Sequence, residues 1–208
     1  MTSRTTIPTL LALATGLILS GCAATPVAPA TVPASSTSPA GSQPTDAALE
    51  LLADHQLAGL DARQIIERLD ATPVAERRTD LIASIRPDQL LISEDQGREA
   101  ALPMPEDEFY LSLAPYLNQN HDCHFHSLTT CLGELQNADV QLTVTDRATG
   151  ETVLADQLRT YDNGFVGIWL PRGIEADLTV EHEGRTATTA ISTRDAEDAT
   201  CLTTLRLG

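Results

Sequence analysis

The run His121-Asp122-Cys123-His124-Phe125-His126-Ser127-Leu128-Thr129-Thr130-Cys131 gathers three of the chain's five histidines and two of its four cysteines. Thiolates favour Cu(I), zinc and iron–sulfur clusters, and imidazole suits copper and zinc, so these residue types describe a soft-metal site. The same residues allow two other chemistries. Cys123 and Cys131 could cycle between dithiol and disulfide, or two cysteines could form a static bridge with surface histidines beside it. The redox reading lacks a Cys-x-x-Cys, and a structural zinc site would lack its usual closely spaced cysteine pairs. In a strand, His124 and His126 would share one face and Cys123 the other, so convergence on one ion requires a loop or bulge. The polar lead-in Asn118-Gln119-Asn120 predicts a loop.

The N-terminus decides how many thiols remain. Residues 1–21 carry one basic residue, Arg4, then an apolar run from Ile7 to Leu19 and small residues, the pattern of a signal peptide. Leu19-Ser20-Gly21-Cys22 resembles the bacterial lipobox, which implies a lipid on Cys22 and a membrane-anchored extracytoplasmic lipoprotein. Behind Cys22, residues 23–44 hold five prolines among Ala, Ser and Thr, with no charge, and read as a disordered linker. If Cys22 is lipidated, Cys123, Cys131 and Cys201 are left. An odd number leaves at least one thiol outside any internal bridge, and outside the cytosol such a thiol is a liability unless something uses it. A soft, low-charge metal ion would use it, in a three-coordinate thiolate site or a mixed sulfur–nitrogen one with His121, His124 and His126 close by, and zinc also fits such ligands.

The elements that must position these residues read as an α+β fold: a short N-terminal helical region, 45–87, followed by an antiparallel β-sandwich-like domain, 88–208. Asp46 is the expected cap of a helix through about Leu57, with Leu49, Leu52 and His55 near one face. Asp61 caps a second helix, with Ile65, Ile66 and Leu69 at helical spacing. Pro73 opens a third that buries Leu81, Ile82 and Ile85. Strands are expected at Leu90–Ile92 and Phe109–Leu113, separated by a charged loop. Beyond Val140 the period-two alternation is clear through Ser192, with turns at Ala148-Thr149-Gly150, Asp162-Asn163-Gly164 and Glu183-Gly184. Cys201 to Leu207 supplies a last strand. Trp169 is expected in the core, and His55 and His182 stand apart from any ligand cluster.

A net charge of −16, with no lysine, excludes nucleic acid and anionic lipid headgroups as partners, since both need a basic face. Membrane contact would then come through the lipid alone. There is no phosphate loop, Gly-x-Ser-x-Gly, His-Glu-x-x-His or calcium loop, so metal handling is favoured over hydrolase or kinase chemistry.

Three segments in order, EFYLSLAPYLNQNHDCHFHSLTTCLGEL (108–135), YDNGFVGIWLPR (161–172) and CLTTLRL (201–207), together resemble the CueP family of bacterial extracytoplasmic copper-binding proteins. The resemblance spans about Asp46 to Leu207. It implies copper bound by three cysteines, which fall on Cys123, Cys131 and Cys201, with a histidine nearby; proximity to Cys123 favours His124 or His126 over His121. It further implies a role in copper tolerance or in delivery to a cuproenzyme, and a homodimer formed through the helical region.

Overall fold

In the computed structural model, which describes residues 45–208, Thr45 caps helix α1 (Asp46–Asp54) by accepting the Ala48 N–H. The cap lies one residue before the expected Asp46. The helix stops short of Leu57 because Gln56 turns into the left-handed region (φ 59°) and the Leu57 N–H returns to the Leu52 carbonyl. Leu51 and Leu52 face inward, whereas Leu49 is 49 % exposed. Helix α2 (Ala62–Asp70) is capped by Asp61 with a reciprocal contact from Gln64, and it buries Ile65, Ile66 and its last residue, Asp70.

The third expected helix does not form. Pro73 leads only a single 3-10 turn (Val74–Glu76), and Leu81–Ile85 is strand β1, in which Leu81, Ala83 and Ile85 are buried and Ile82 is 47 % exposed. So short an apolar run fits either period, and the partner decides. A tight turn at Pro87 brings β2 (Gln89–Glu94) back antiparallel to β1, with the Arg86 N–H donating to the Gln89 carbonyl. A further strand, β3 (Glu99–Pro103), occupies the region read as a charged loop and pairs with β2. The two helices cover one face of this three-stranded sheet, sharing a core with Leu81, Ala83, Ile85, Leu90 and Ile92. The expected boundary between helical and β-rich parts therefore runs through the β1–β2 turn.

The remaining strands are β4 (Glu108–Leu113), β5 (Asp139–Asp146), β6 (Thr152–Arg159), β7 (Val166–Pro171), β8 (Glu175–His182), β9 (Arg185–Ser192) and β10 (Cys201–Leu202). They form two sheets, ordered β10-β4-β7 and β6-β5-β8-β9, antiparallel except where β10 runs parallel to β4. Alternate residues of each, among them Phe109, Leu111 and Ile168 from one and Leu142, Val144 and Leu178 from the other, fill one core between the sheets. The chain is thus α+β, with sandwich-like packing. Only Cys201 and Leu202 of the expected final strand join a ladder; Arg206 adds a single bridge to Tyr116. Trp169 is partly buried against the helical core, edge-on to Tyr110 with ring centroids 4.8 Å apart, and the Arg63 guanidinium lies over its ring.

The expected signal peptide (1–21), Cys22 and the linker (22–44) lie outside the described residues. Among the described residues, no helix is long and apolar enough to cross a membrane.

Gly164, at φ +78°, closes the Tyr161–Gly164 turn against the backbone of Gly133, whose N–H donates to the Asn163 carbonyl at 2.7 Å. A methyl group at Gly164 would overlap Gly133, whereas one at Gly150, also left-handed at φ +73°, would meet nothing. Gly164→Ala should therefore cost about 2–4 kcal/mol, combining backbone strain and overlap, against about 1–2 kcal/mol for Gly150→Ala. Urea unfolding checks this; equal losses would contradict the close approach.

Candidate metal centre

The segment carrying the histidines is neither strand nor free loop. It is stitched along β1 on one side: the Ile85 N–H donates to the His126 carbonyl and the Leu128 N–H to the Ala83 carbonyl, both at 2.8 Å. On the other side, the N–H groups of Thr200 and Cys201 both donate to the His124 carbonyl at 3.0 Å. The Thr200 hydroxyl completes the junction, accepting the His126 N–H at 3.1 Å and donating to the Ile85 carbonyl at 2.7 Å. Leu128, fully buried in the helical core, anchors the chain before it turns to Cys131.

These bonds bring all three cysteines together. Cys123 and Cys201 form a disulfide across 78 residues, with Cα atoms 5.6 Å apart. Cys131 is a buried free thiol whose Sγ lies 3.6 Å from Cys123 Sγ and accepts the Ser127 N–H at 3.4 Å. The redox alternative read from the sequence paired Cys123 with Cys131; here the partner of Cys123 is Cys201, delivered by the parallel pairing of β10 with β4.

The histidines divide. His126 is fully buried, with Nδ1 3.7 Å from Cys201 Sγ. His121 is exposed at the rim. Two triads result, His126–Cys131–Cys201 inside and His121–Cys123–Cys131 outside, each with its donor atoms within 4.8 Å of one another. His124 belongs to neither. Its Nε2 lies 2.9 Å from the Glu197 carbonyl and its ring stands edge-on to Phe125. His55 pairs instead with Glu94, and the His182 ring bonds the Asp139 carbonyl.

Electrostatics tune the inner triad. Burial pushes the Cys131 thiol up, but the hydrogen bond and charge of His126 outweigh it and bring the thiol down to about 7. Burial likewise works against a charged His126, yet Asp70 and Cys131 raise it to about 9. Asp70, 3.5 Å from His126 Nε2, has both oxygens held: Oδ2 accepts the Tyr110 hydroxyl at 2.5 Å and Oδ1 accepts Asn163 Nδ2 at 2.9 Å. The Arg77 guanidinium donates to the Cys131 carbonyl at 2.8 Å.

Sequence reasoning missed Asp70, Tyr110, Asn163, Arg77 and Thr200. One signal was available: Asp70 follows Ile66 by one helical turn, so it puts a carboxylate on an apolar face. Asn163 was visible only as a turn residue, and the other three carry no local signature.

The lead-in to His121 is held by Glu134, whose carboxylate accepts the N–H groups of Leu117 at 2.7 Å and Asn118 at 2.9 Å, with Asn118 Nδ2 at 2.6 Å. These bonds to the charged form hold its pKa down at about 2, against an ordinary 4.5. Because the folded value is depressed, the stabilisation is present above pH 4.5 and is lost as the pH falls through about 2. A carbon-13 titration of the Glu134 carboxyl should show that low midpoint; an ordinary one would contradict the anchored loop.

The family model described as "Periplasmic copper-binding protein CueP" matches residues 64–206. A crystal structure described as that of S.CueP is 39 % identical, with a TM-score of 0.71, covering 77 % of this chain and 96 % of its own. No curated protein matches. With three sulfurs and two imidazoles converging on this fold, the chain belongs to the CueP family of periplasmic copper-binding proteins.

Proposed function

We propose that this protein holds Cu(I) outside the cytoplasm through Cys123, Cys131 and Cys201, with His126 as the imidazole ligand and His121 at the entrance. The observation that carries this reading is the pair of triads sharing Cys131, one buried and one at the rim. Sulfur donors suit a soft monovalent ion, and the outer triad, exposed at His121, gives it a way in. The Cys123–Cys201 bridge withholds two sulfurs, so metal loading follows its reduction by an external dithiol, which supplies two electrons and two protons and is itself left as a disulfide.

The finer parts of the reading rest on the sequence. A lipid on Cys22 would tether the chain, and the linker would let the copper centre stand up to ~70 Å from the membrane at about 3.1 Å per residue. A homodimer through the helical region, and release to a cuproenzyme or retention for copper tolerance, belong to the same reading and are what the family resemblance suggests.

A second reading is favoured by the position of Cys131 beside the bridge. In it the protein is a thiol redox or metal-reducing protein: closing Cys123–Cys201 releases two protons and two electrons, which reduce two Cu(II) to two Cu(I). The two readings call on the same sulfurs in opposite states, since the bridge whose closing reduces Cu(II) takes away two of the three thiolates that would hold Cu(I).

Anaerobic titration of the reduced protein against a chromophoric Cu(I) chelator tests the first. It should bind one Cu(I) tightly and in preference to Zn(II). Each cysteine-to-serine change should weaken binding by orders of magnitude, while His124→Ala leaves it unchanged; full affinity in all three serine variants would sink the proposal. For the second, two Cu(I) formed per bridge closed is the expected stoichiometry, and Cu(II) left unreduced by the dithiol form would rule it out.

A further inference from the structure

Asp70 occupies a costly position. It is the last residue of α2, where the helix dipole disfavours a negative charge, and its side chain is fully buried. Three donors surround it: the Tyr110 hydroxyl from β4, Asn163 Nδ2 from the β6–β7 turn, and His126 Nε2. The Tyr110 ring reaches Asp70 across Gly167, the one residue type that leaves it room. The first two bonds are of normal length and fix the carboxylate. The third is open: Nε2 is buried, makes no hydrogen bond, and has the Asp70 carboxylate 3.5 Å away.

We propose that Asp70 is a positioning residue for copper: its carboxylate keeps one proton on His126 Nε2, so that when the ring gives up its other proton it is Nδ1, which faces Cys201 Sγ, that is bared to the ion. The proposal rests on the copper reading above and extends it. A neutral imidazole carries one proton, and the group that accepts it decides which nitrogen is free to ligate. With Tyr110 and Asn163 holding the carboxylate, the helical lobe sets the orientation of a ligand that belongs to the β-rich part. Histidine ligands backed in this way typically lose 10–100-fold in metal affinity when the backing group is removed.

Nitrogen-15 spectra of the reduced wild-type protein, with His126 assigned by a His126→Gln variant, read the arrangement directly. Nε2 should keep its proton in the metal-free protein at pH values where the ring is neutral, and after Cu(I) loading, with only Nδ1 shifting on loading. A shift of Nε2 on loading, or a neutral ring protonated at Nδ1, overturns the proposal. Asp70→Asn offers one acceptor where three donors converge, and it should weaken Cu(I) binding about 10–100-fold while all three thiols stay titratable. Wild-type affinity in that variant also overturns the proposal. If Asp70→Asn fails to fold, the wild-type spectra decide. A protein that binds no Cu(I) yet carries the proton on Nε2 removes the copper reading and the metal-positioning role, but leaves the hydrogen-bond arrangement standing, so the two failures are distinct.

Discussion

A buried backbone must find hydrogen-bond partners, and the way the chain from His124 to Leu128 finds its own decides where the sulfurs go. The segment lies between β1 and the start of β10, and its polar groups are divided between the two. Thr200 is the hinge of this arrangement because one hydroxyl serves both sides, accepting from His126 and donating to Ile85. Once that register is set, Cys201 arrives opposite Cys123, His126 turns inward and Cys131 closes the group from the following turn. The cysteine–histidine cluster is therefore a product of three chain segments distant in sequence. It sits where the helical lobe meets the sandwich.

The charge distribution separates the surface from the site. The chain carries a net charge of −16. Inside, the Arg77 guanidinium beside Cys131 and the imidazole of His126 offset Asp70 and a thiolate. A buried thiolate persists only with such company, since desolvation otherwise drives it to the neutral thiol. The same balance brings the Cys131 thiol down to about 7.

Much of this architecture was legible in the sequence. The alternation of Val140, Leu142 and Val144, and the Gly-containing turns after it, set out β5 to β9 because strands buried on one face must alternate. Asp61 with Gln64 marked the start of α2 for an equally local reason. Leu81–Ile85 was not legible: five residues fit either period, and only pairing with β2 makes them a strand. The cysteines and His126 could be named from their types, but not the disulfide partner, which depends on the parallel placement of β10. The direction of the His124 ring was not legible either, because proximity along the chain says little about direction once the backbone is committed to hydrogen bonds elsewhere. Asp70 lay hidden in the helical part, 56 positions before His126, where no spacing rule connects the two.

X-ray absorption at the copper edge of the reduced, Cu(I)-loaded protein addresses the central claim most directly, because it reads the donor atoms themselves. The account predicts a first shell dominated by sulfur with a single imidazole nitrogen, the nitrogen being lost in His126→Ala and kept in His124→Ala. A shell of nitrogen and oxygen without sulfur, or a signal unaltered by the loss of His126, would contradict it.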